Sequence, residues 1–225
     1  LSSRRQRQMC IRDSNNIANK VMNIPLGPGI GQCCGGYVQV KLSLHSNSKD
    51  ALKDEYIVNY VKPNLYIFGS GHIGQALISK LENINFNTFI IDSREDYLKM
   101  TNIKDINYLL SKKPWEIVSK LEDNSYFIVL THSHDYDLKI LNEILKKNNT
   151  FVGLIGSLTK KKRFYKRLID NGHNKSIVEK IECPIGIDIG NSKDPNEIAF
   201  SIITRIISIK NSLKHLSNNK IKEVI

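Results

Sequence analysis

The run Gly69-Ser70-Gly71-His72-Ile73-Gly74 constrains the fold of this 225-residue chain more than any other stretch. It follows the apolar segment Leu65-Tyr66-Ile67-Phe68 and opens a helical pattern of Ile73, Ala76, Leu77, Lys80 and Leu81. A second apolar run, Phe89-Ile90-Ile91, ends on Asp92, 23 positions past Gly69. Strand, glycine turn, helix, strand and terminal acid form the dinucleotide-binding βαβ arrangement. Gly69 would permit the tight turn, Gly71 would let the backbone approach a pyrophosphate, and Gly74 would allow close packing of helix and strand. The helix N-terminus then offers N–H groups and a positive dipole end to an anion. Asp92 would accept hydrogen bonds from a ribose. The glycine pattern alone fits equally a turn that binds no nucleotide; the acid at this distance favours a nucleotide-like ligand.

From Leu65 onward strand and helix patterns alternate. Strands are expected at Ile106 to Leu110, Tyr126 to Leu130 and Phe151 to Ile155. Helices are expected at Pro114 to Leu121, Tyr136 to Lys147, Thr159 to Asn171 (stopped by Gly172) and Pro195 to Ile209. The last begins Asp194-Pro195-Asn196-Glu197, a cap residue, a first-turn proline and an acid, and carries the stripe Ile198, Ile202, Ile206 and Ile209. Right-handed crossovers then imply a Rossmann-like α/β domain with a doubly wound, mostly parallel sheet. Upstream, Tyr37 to Leu44 alternates, with Val38, Val40, Leu42 and Leu44 on one face, and reads as a half-buried strand. A short helix is expected around Leu52 to Tyr60, and the polar tail after Asn211 is expected to fray.

Length and composition fit one domain plus an appendage. No apolar run approaches the roughly 20 residues needed to cross a bilayer, so no membrane association is expected. Four cysteines, two of them adjacent, do not make a disulfide framework, which points to a reducing, cytoplasmic setting. The net charge of +11 favours anionic partners. Part of it lies in Arg4, Arg5, Arg7 and Arg12, and part in Lys160, Lys161, Lys162, Arg163, Lys166 and Arg167. Such a cluster is most simply a solvated helix face. Nucleic acid is not expected, because aromatic interleaving and a helix-turn-helix signature are both lacking.

Ligands of open parallel sheets gather at the carboxyl ends of the strands. Those ends carry Gly69, Gly71, His72 and Gly74; then Asp92, Ser93 and Arg94; then Thr131-His132-Ser133-His134-Asp135; then Gly156-Ser157. A later loop runs Cys183-Pro184-Ile185-Gly186-Ile187-Asp188-Ile189-Gly190. Thr131 and His132 suit direct ligand contact, and Gly156-Ser157 opens a second helix N-terminus suited to an anion. The binuclear hydrolase spacing His-x-His-x-Asp-His fails here, and Asp135 and Asp137 suit a first helical turn. Cys33-Cys34 lies between glycine pairs. Two soft thiols in such a loop suit a transition metal or sulfur chemistry, whereas the plainer reading buries at least one of them.

Taken in order, these elements resemble the xanthine dehydrogenase accessory protein family (XdhC/CoxI), maturation factors of molybdenum hydroxylases. The resemblance runs from Leu26 to about Ile209. It is carried by Gly31-Gln32-Cys33-Cys34-Gly35-Gly36, the Gly69–Gly74 turn, Asp92-Ser93-Arg94, Thr131 to Asp137, Val152 to Ser157, Pro184 to Gly190 and Pro195 to Ala199. It implies a chaperone without turnover of its own that holds the molybdenum cofactor, as molybdopterin or its cytosine dinucleotide. Such a chaperone supports sulfuration by a cysteine desulfurase and insertion into xanthine dehydrogenase or a related hydroxylase; a homodimer is left open. The implied cofactor-binding residues are Gly69, Gly71, His72, Gly74, Asp92, Arg94, Thr131, His132, Gly156 and Ser157, with Cys33 and Cys34 toward the metal.

The family's earlier glycine-rich elements have no counterpart here. Residues 1–14 resemble translated vector or adapter sequence, residues 15–50 the remnant of an N-terminal domain, 51–62 a linker, 63–212 the Rossmann-like domain and 213–225 a polar tail. An NAD(P)-dependent oxidoreductase using the same fingerprint is the main competing class, although no Tyr-x-x-x-Lys or similar acid–base pair follows the sheet. A nucleotide-sensing regulator is the third.

Overall fold

The computed structural model describes residues 19–25, 37–47, 62–100 and 102–222. The chain divides into two compact units, Leu1–Tyr60 and Val61–Ile225. In the first, β1 (Asn19–Pro25) and β2 (Tyr37–Ser43) pair antiparallel, Asn19 opposite Ser43 and Pro25 opposite Tyr37. Val40 and Leu42 are half-buried between exposed Gln39 and Lys41, as the alternation of β2 requires. Leu44 falls past the strand end and is exposed, so it does not extend that face. β1 is absent from the sequence reading because Val21-Met22 breaks its alternation and Pro25 ends it; pairing with β2 supplies the order its own pattern lacks. Cys33, Cys34 and the helix expected around Leu52 to Tyr60 lie outside the described residues.

The second unit is a five-stranded parallel sheet in the order β5-β4-β3-β6-β7. Its strands are β3 (Asn64–Phe68), β4 (Asn87–Asp92), β5 (Ile106–Leu110), β6 (Ser125–Val129) and β7 (Asn149–Leu154). Between them run α1 (His72–Leu81), α2 (Glu95–Lys99) and α3 (His134–Ile144), followed by α4 (Leu158–Asp170), α5 (Lys175–Val178) and α6 (Pro195–Lys222). Central strands are buried on both faces and read as unbroken apolar runs. Leu65, Ile67, Ile90 and Ile128 join Leu77 and Ile78 of α1 and Ile202 and Ile206 of α6 in one apolar layer. Tyr66, Phe68, Ile91, Phe127 and Val129 join Leu141 of α3 and Phe164 and Leu168 of α4 in the other. This is the expected doubly wound α/β domain.

Three expected helices differ in detail. Pro114 to Leu121 is a series of turns closing in the single 3₁₀ turn Val118–Lys120. Its bonds join residues three apart, Glu116 N–H to the Lys113 carbonyl, Lys120 to Ile117 and Leu121 to Val118. At three residues per turn, side chains three apart eclipse. Trp115, Val118 and Leu121 thereby fall on one row against the second apolar layer, and that packing overrides the helical pattern. α3 starts earlier than expected, at His134, because Ser133 caps it through the Tyr136 N–H. α6 continues past Asn211 to Lys222, since neither glycine nor proline interrupts that segment. α4 ends as expected at Gly172, with φ of 93°, where the Gly172 and His173 N–H groups bond the Ile169 and Leu168 carbonyls.

Candidate functional site at the strand switch point

The strand order reverses between β3 and β6, where open α/β sheets form their binding crevice. The chain leaves β3 into the glycine turn and β6 into Leu130-Thr131-His132. Gly69 has φ of 118°, and a methyl group there would run into the Leu130 carbonyl. Its own N–H bonds the Ile91 carbonyl at 2.8 Å. Gly74 packs with its α-carbon against the Gly69 carbonyl, leaving no room for a side chain. At Gly71, by contrast, nothing lies within 4 Å of where a Cβ would stand. α1 has no side-chain cap and no acid in its first turn, so its leading N–H groups receive no side-chain acceptor at the positive dipole end. His72, the first residue of α1, is exposed.

Asp92 is 3% exposed and is held by four donors. Oδ2 accepts from the Ser70 N–H at 2.7 Å and Arg94 Nη2 at 2.9 Å, while Oδ1 accepts from the Arg94 N–H and Nε, each at 2.9 Å. Burial works to raise this carboxyl's pKa; the Arg94 side chain and the two backbone N–H groups outweigh it and hold the pKa below the ordinary value. Arg94 in turn lies 3.7 Å over the Tyr97 ring. A ribose hydroxyl therefore reaches Asp92 only by displacing the Arg94 fork. Ser70, fully buried, donates to the Tyr97 carbonyl at 2.9 Å. Gln75 Nε2 reaches the same carbonyl at 2.7 Å and Ser70 Oγ at 2.6 Å, tying the glycine turn to α2.

Across the switch point Thr131 gives its N–H to Asp137 Oδ1 at 3.0 Å, and its hydroxyl lies 2.7 Å from the same oxygen. Asp137 is fully buried, and its Oδ2 accepts from Lys160 Nζ at 2.6 Å. Lys160 also reaches the Ile155 carbonyl at 2.8 Å. It is thus not part of the solvated cationic face expected for its cluster, and Asp137 does more than decorate a first turn. Both positions were visible in the periodicity: Lys160 shares a row with Phe164 and Leu168, and Asp137 with Leu141 and Leu145. A helix buries such rows whatever sits on them.

His132 is exposed and meets the Tyr136 ring edge-on at 5.4 Å; Tyr136 meets Trp115 at 5.0 Å. Gly69, Asp92, Ser93, Pro114, Thr131, His132 and Tyr136 line one narrow crevice between the strand ends. It therefore unites Gly69, Asp92, Thr131 and His132. Gly156 and Ser157 lie one strand further, at the end of β7, joined to Thr131 through Lys160 and Asp137. The Ser157 hydroxyl accepts from the Lys160 N–H at 3.3 Å and caps α4 itself. The 183–190 loop runs beside β7, bridged at Gly153 and Glu182, and is fastened to α6 by Arg205 Nε on Glu182 at 2.7 Å and by Ser201 Oγ on the Ile187 carbonyl at 2.6 Å. Among the described residues no three His, Cys, Asp or Glu side chains are grouped to hold a metal ion. No helix among them is long and apolar enough to cross a membrane.

A family model described as the XdhC Rossmann domain matches residues 65–206. The uncharacterized protein YqeB of Escherichia coli (strain K12) is 23% identical over 184 residues, 81% of this chain and 31% of that protein. A probable xanthine dehydrogenase subunit of Bacillus subtilis (strain 168) is 27% identical over 151 residues, 66% of this chain and 43% of that protein. The chain thus spans less than half the length of either curated relative. A crystal structure of a xanthine dehydrogenase from Bacillus halodurans matches with a TM-score of 0.58 and 22% identity, covering 87% of this chain and 60% of that one. At that identity the likeness speaks for the fold.

Proposed function

The chain belongs to the XdhC Rossmann domain family, and from that premise we propose that it is an accessory factor of a molybdenum hydroxylase, carrying the molybdenum cofactor as cargo. The observation that carries the reading is the uncapped N-terminus of α1 at the strand switch point, beside the open side of Gly71. A pterin phosphate or pyrophosphate is anionic and suits those N–H groups. Arg94 spends Nε and Nη2 on Asp92, leaving further donors for a second anionic oxygen. Thr131, held by Asp137, and His132 form the opposite wall. Gly156 and Ser157 extend the site toward β7, and Cys33 and Cys34 offer thiolate sulfur to molybdenum.

In this reading the cofactor is bound, sulfurated by a cysteine desulfurase, and passed to an apo-hydroxylase of the xanthine dehydrogenase kind. The Bacillus subtilis relative, named as part of a probable xanthine dehydrogenase, supports that context. The test is equilibrium binding under anaerobic conditions of molybdopterin, its cytosine dinucleotide and NAD(P), paired with reconstitution of a cofactor-free hydroxylase by the full-length protein. Preference for a pterin and a rise in hydroxylase activity are expected. Tight NAD(P) binding with substrate-dependent reduction, and no reconstitution, would overturn the proposal in favour of an oxidoreductase.

A further inference from the structure

α4 departs from two rules of helix electrostatics, one of them on the side it turns to solvent. Phe164 and Leu168 are fully buried, and Lys160 on their row is occupied by Asp137. The outward side carries Lys162, Arg163, Lys166 and Arg167, all exposed. Lys162 stands one turn from Lys166 and Arg163 one turn from Arg167, a spacing at which like charges repel. The first turn holds lysines and no acid, opposite to what the macrodipole favours. Among the described residues none of these four cations has an ion pair. On other helices acids pair with lysines one turn away, Glu95 with Lys99 at 2.6 Å and Asp135 with Lys139 at 2.8 Å, whereas Asp170, four residues past Lys166 on α4, forms no ion pair with it among the described residues. An outward face of like charges without ion pairs breaks a local rule and marks a place where function compensates.

We propose that this face of α4 docks an acidic helix of a partner protein. Its cations form two neighbouring rows repeating every four residues, about 6 Å along the axis. Carboxylates four apart on another helix repeat at the same distance, and the Arg163 and Arg167 forks suit them in bidentate fashion. Leu158, 63% exposed, heads the Lys162–Lys166 row, which ends on the exposed Asp170, while Ile169, 38% exposed, lies three residues past Lys166; the two apolar side chains add anchors. A single-stranded nucleic acid would need exposed rings to stack on. Here Phe164 is buried, and half-buried Tyr165 gives its hydroxyl to the Ile181 carbonyl. The inference does not depend on what the crevice binds.

The experiment uses the full chain and three fluorescein-labelled probes followed by anisotropy. They are a helical peptide with glutamates four apart on one face and leucine at both ends, an isomer of equal composition with the glutamates scattered, and a thymidine oligonucleotide. The aligned peptide should bind at least about tenfold more tightly than the other two, with affinity falling as salt rises. The variant Lys162→Gln, Arg163→Gln, Lys166→Gln, Arg167→Gln should lose that preference while its melting temperature holds or rises. A charge-matched control, Lys104→Gln, Lys120→Gln, Lys180→Gln, Lys193→Gln, should keep it. Equal losses in both variants, no preference for the aligned peptide, or tighter binding of the oligonucleotide would overturn the proposal. Should the α4 variant unfold, Lys162→Gln with Arg163→Gln provides the same comparison against Lys104→Gln with Lys120→Gln.

Discussion

Lys160 Nζ lies 2.6 Å from Asp137 Oδ2, with the aspartate side chain fully enclosed and that of the lysine 10% exposed. The pair joins the first turn of α4 to the first turn of α3. Its lysine passes so close over Gly156 that a methyl group there would strike it. Removing one partner of a buried ion pair strands the other charge. Lys160→Met should therefore cost about 3–5 kcal/mol in urea unfolding, while Lys162→Met, on the solvent side of the same helix, should stay within about 0.5 kcal/mol. Equal effects would show that the pair does not fasten the two turns.

Gly69 and Gly71 should separate stability from binding. Gly69→Ala places a side chain at a φ of 118° and against the Leu130 carbonyl, and a loss of at least about 1–3 kcal/mol is expected from the strain alone. Gly71 has an extended backbone and open space beside it, so Gly71→Val should fold normally. If the α1 N-terminus holds the ligand phosphate, its affinity falls at least tenfold, roughly 1.4 kcal/mol. Thermal melts and ligand titration on the two variants check both halves.

Acid should loosen the glycine turn through Asp92. Burial alone raises its pKa, yet Arg94 and the two N–H groups bring it below the ordinary value. A carboxylate shifted down contributes stability that is present above its unfolded value, about 3.9, and lost as pH falls through the lower folded one. In Arg94→Met the burial penalty stands without the guanidinium, so the acid-induced loss should begin at higher pH. Melting temperatures across the acid range, with Asp92→Asn as the variant lacking the charge, measure the displacement.

Tyr165 should report at the alkaline end. Burial, with lesser contributions from Cys183 and Glu179, pushes its phenol up to about 12, and its hydroxyl donates to the Ile181 carbonyl. Stability from the protonated ring is complete below the unfolded value near 10 and drains away as pH rises toward the folded one. Tyr165→Phe should remove that alkaline step in a denaturation series, and ultraviolet titration should lose its latest-ionising tyrosine.

Cys33→Ser, Cys34→Ser and the double variant are nearly isosteric changes that remove soft thiolates. The full-length protein should fold with each, and cofactor sulfuration or transfer should fall in at least one. Normal binding and transfer by all three variants would make the loop structural.

α2 and α5, at five and four residues, are too short to show a helical period. What the sequence determined by itself was the order of the five strands from Leu65 onward, the longer helices α1, α3, α4 and α6, and the glycine turn at their start. Each rests on a period within one element: unbroken apolar runs for strands buried on both faces, four-residue rows for the helices, and a backbone conformation at Gly69 that side chains resist. β1 escaped notice because its order comes from β2. The turns around Trp115, Val118 and Leu121 lost their helical form to the layer they pack on. Asp92 read as a free ribose acceptor, and only the fold brought Ser70 to its carboxylate and showed Arg94 closing back over it. Lys160 stood in a run of cations that sequence treats alike, while the fold turned one inward to Asp137 and left four facing water. Periodicity records which way a side chain points from its own axis. The group it meets there, 23 residues away for Lys160 and 22 for Ser70, is set by packing between elements, where desolvation leaves a buried charge no choice but to find its partner.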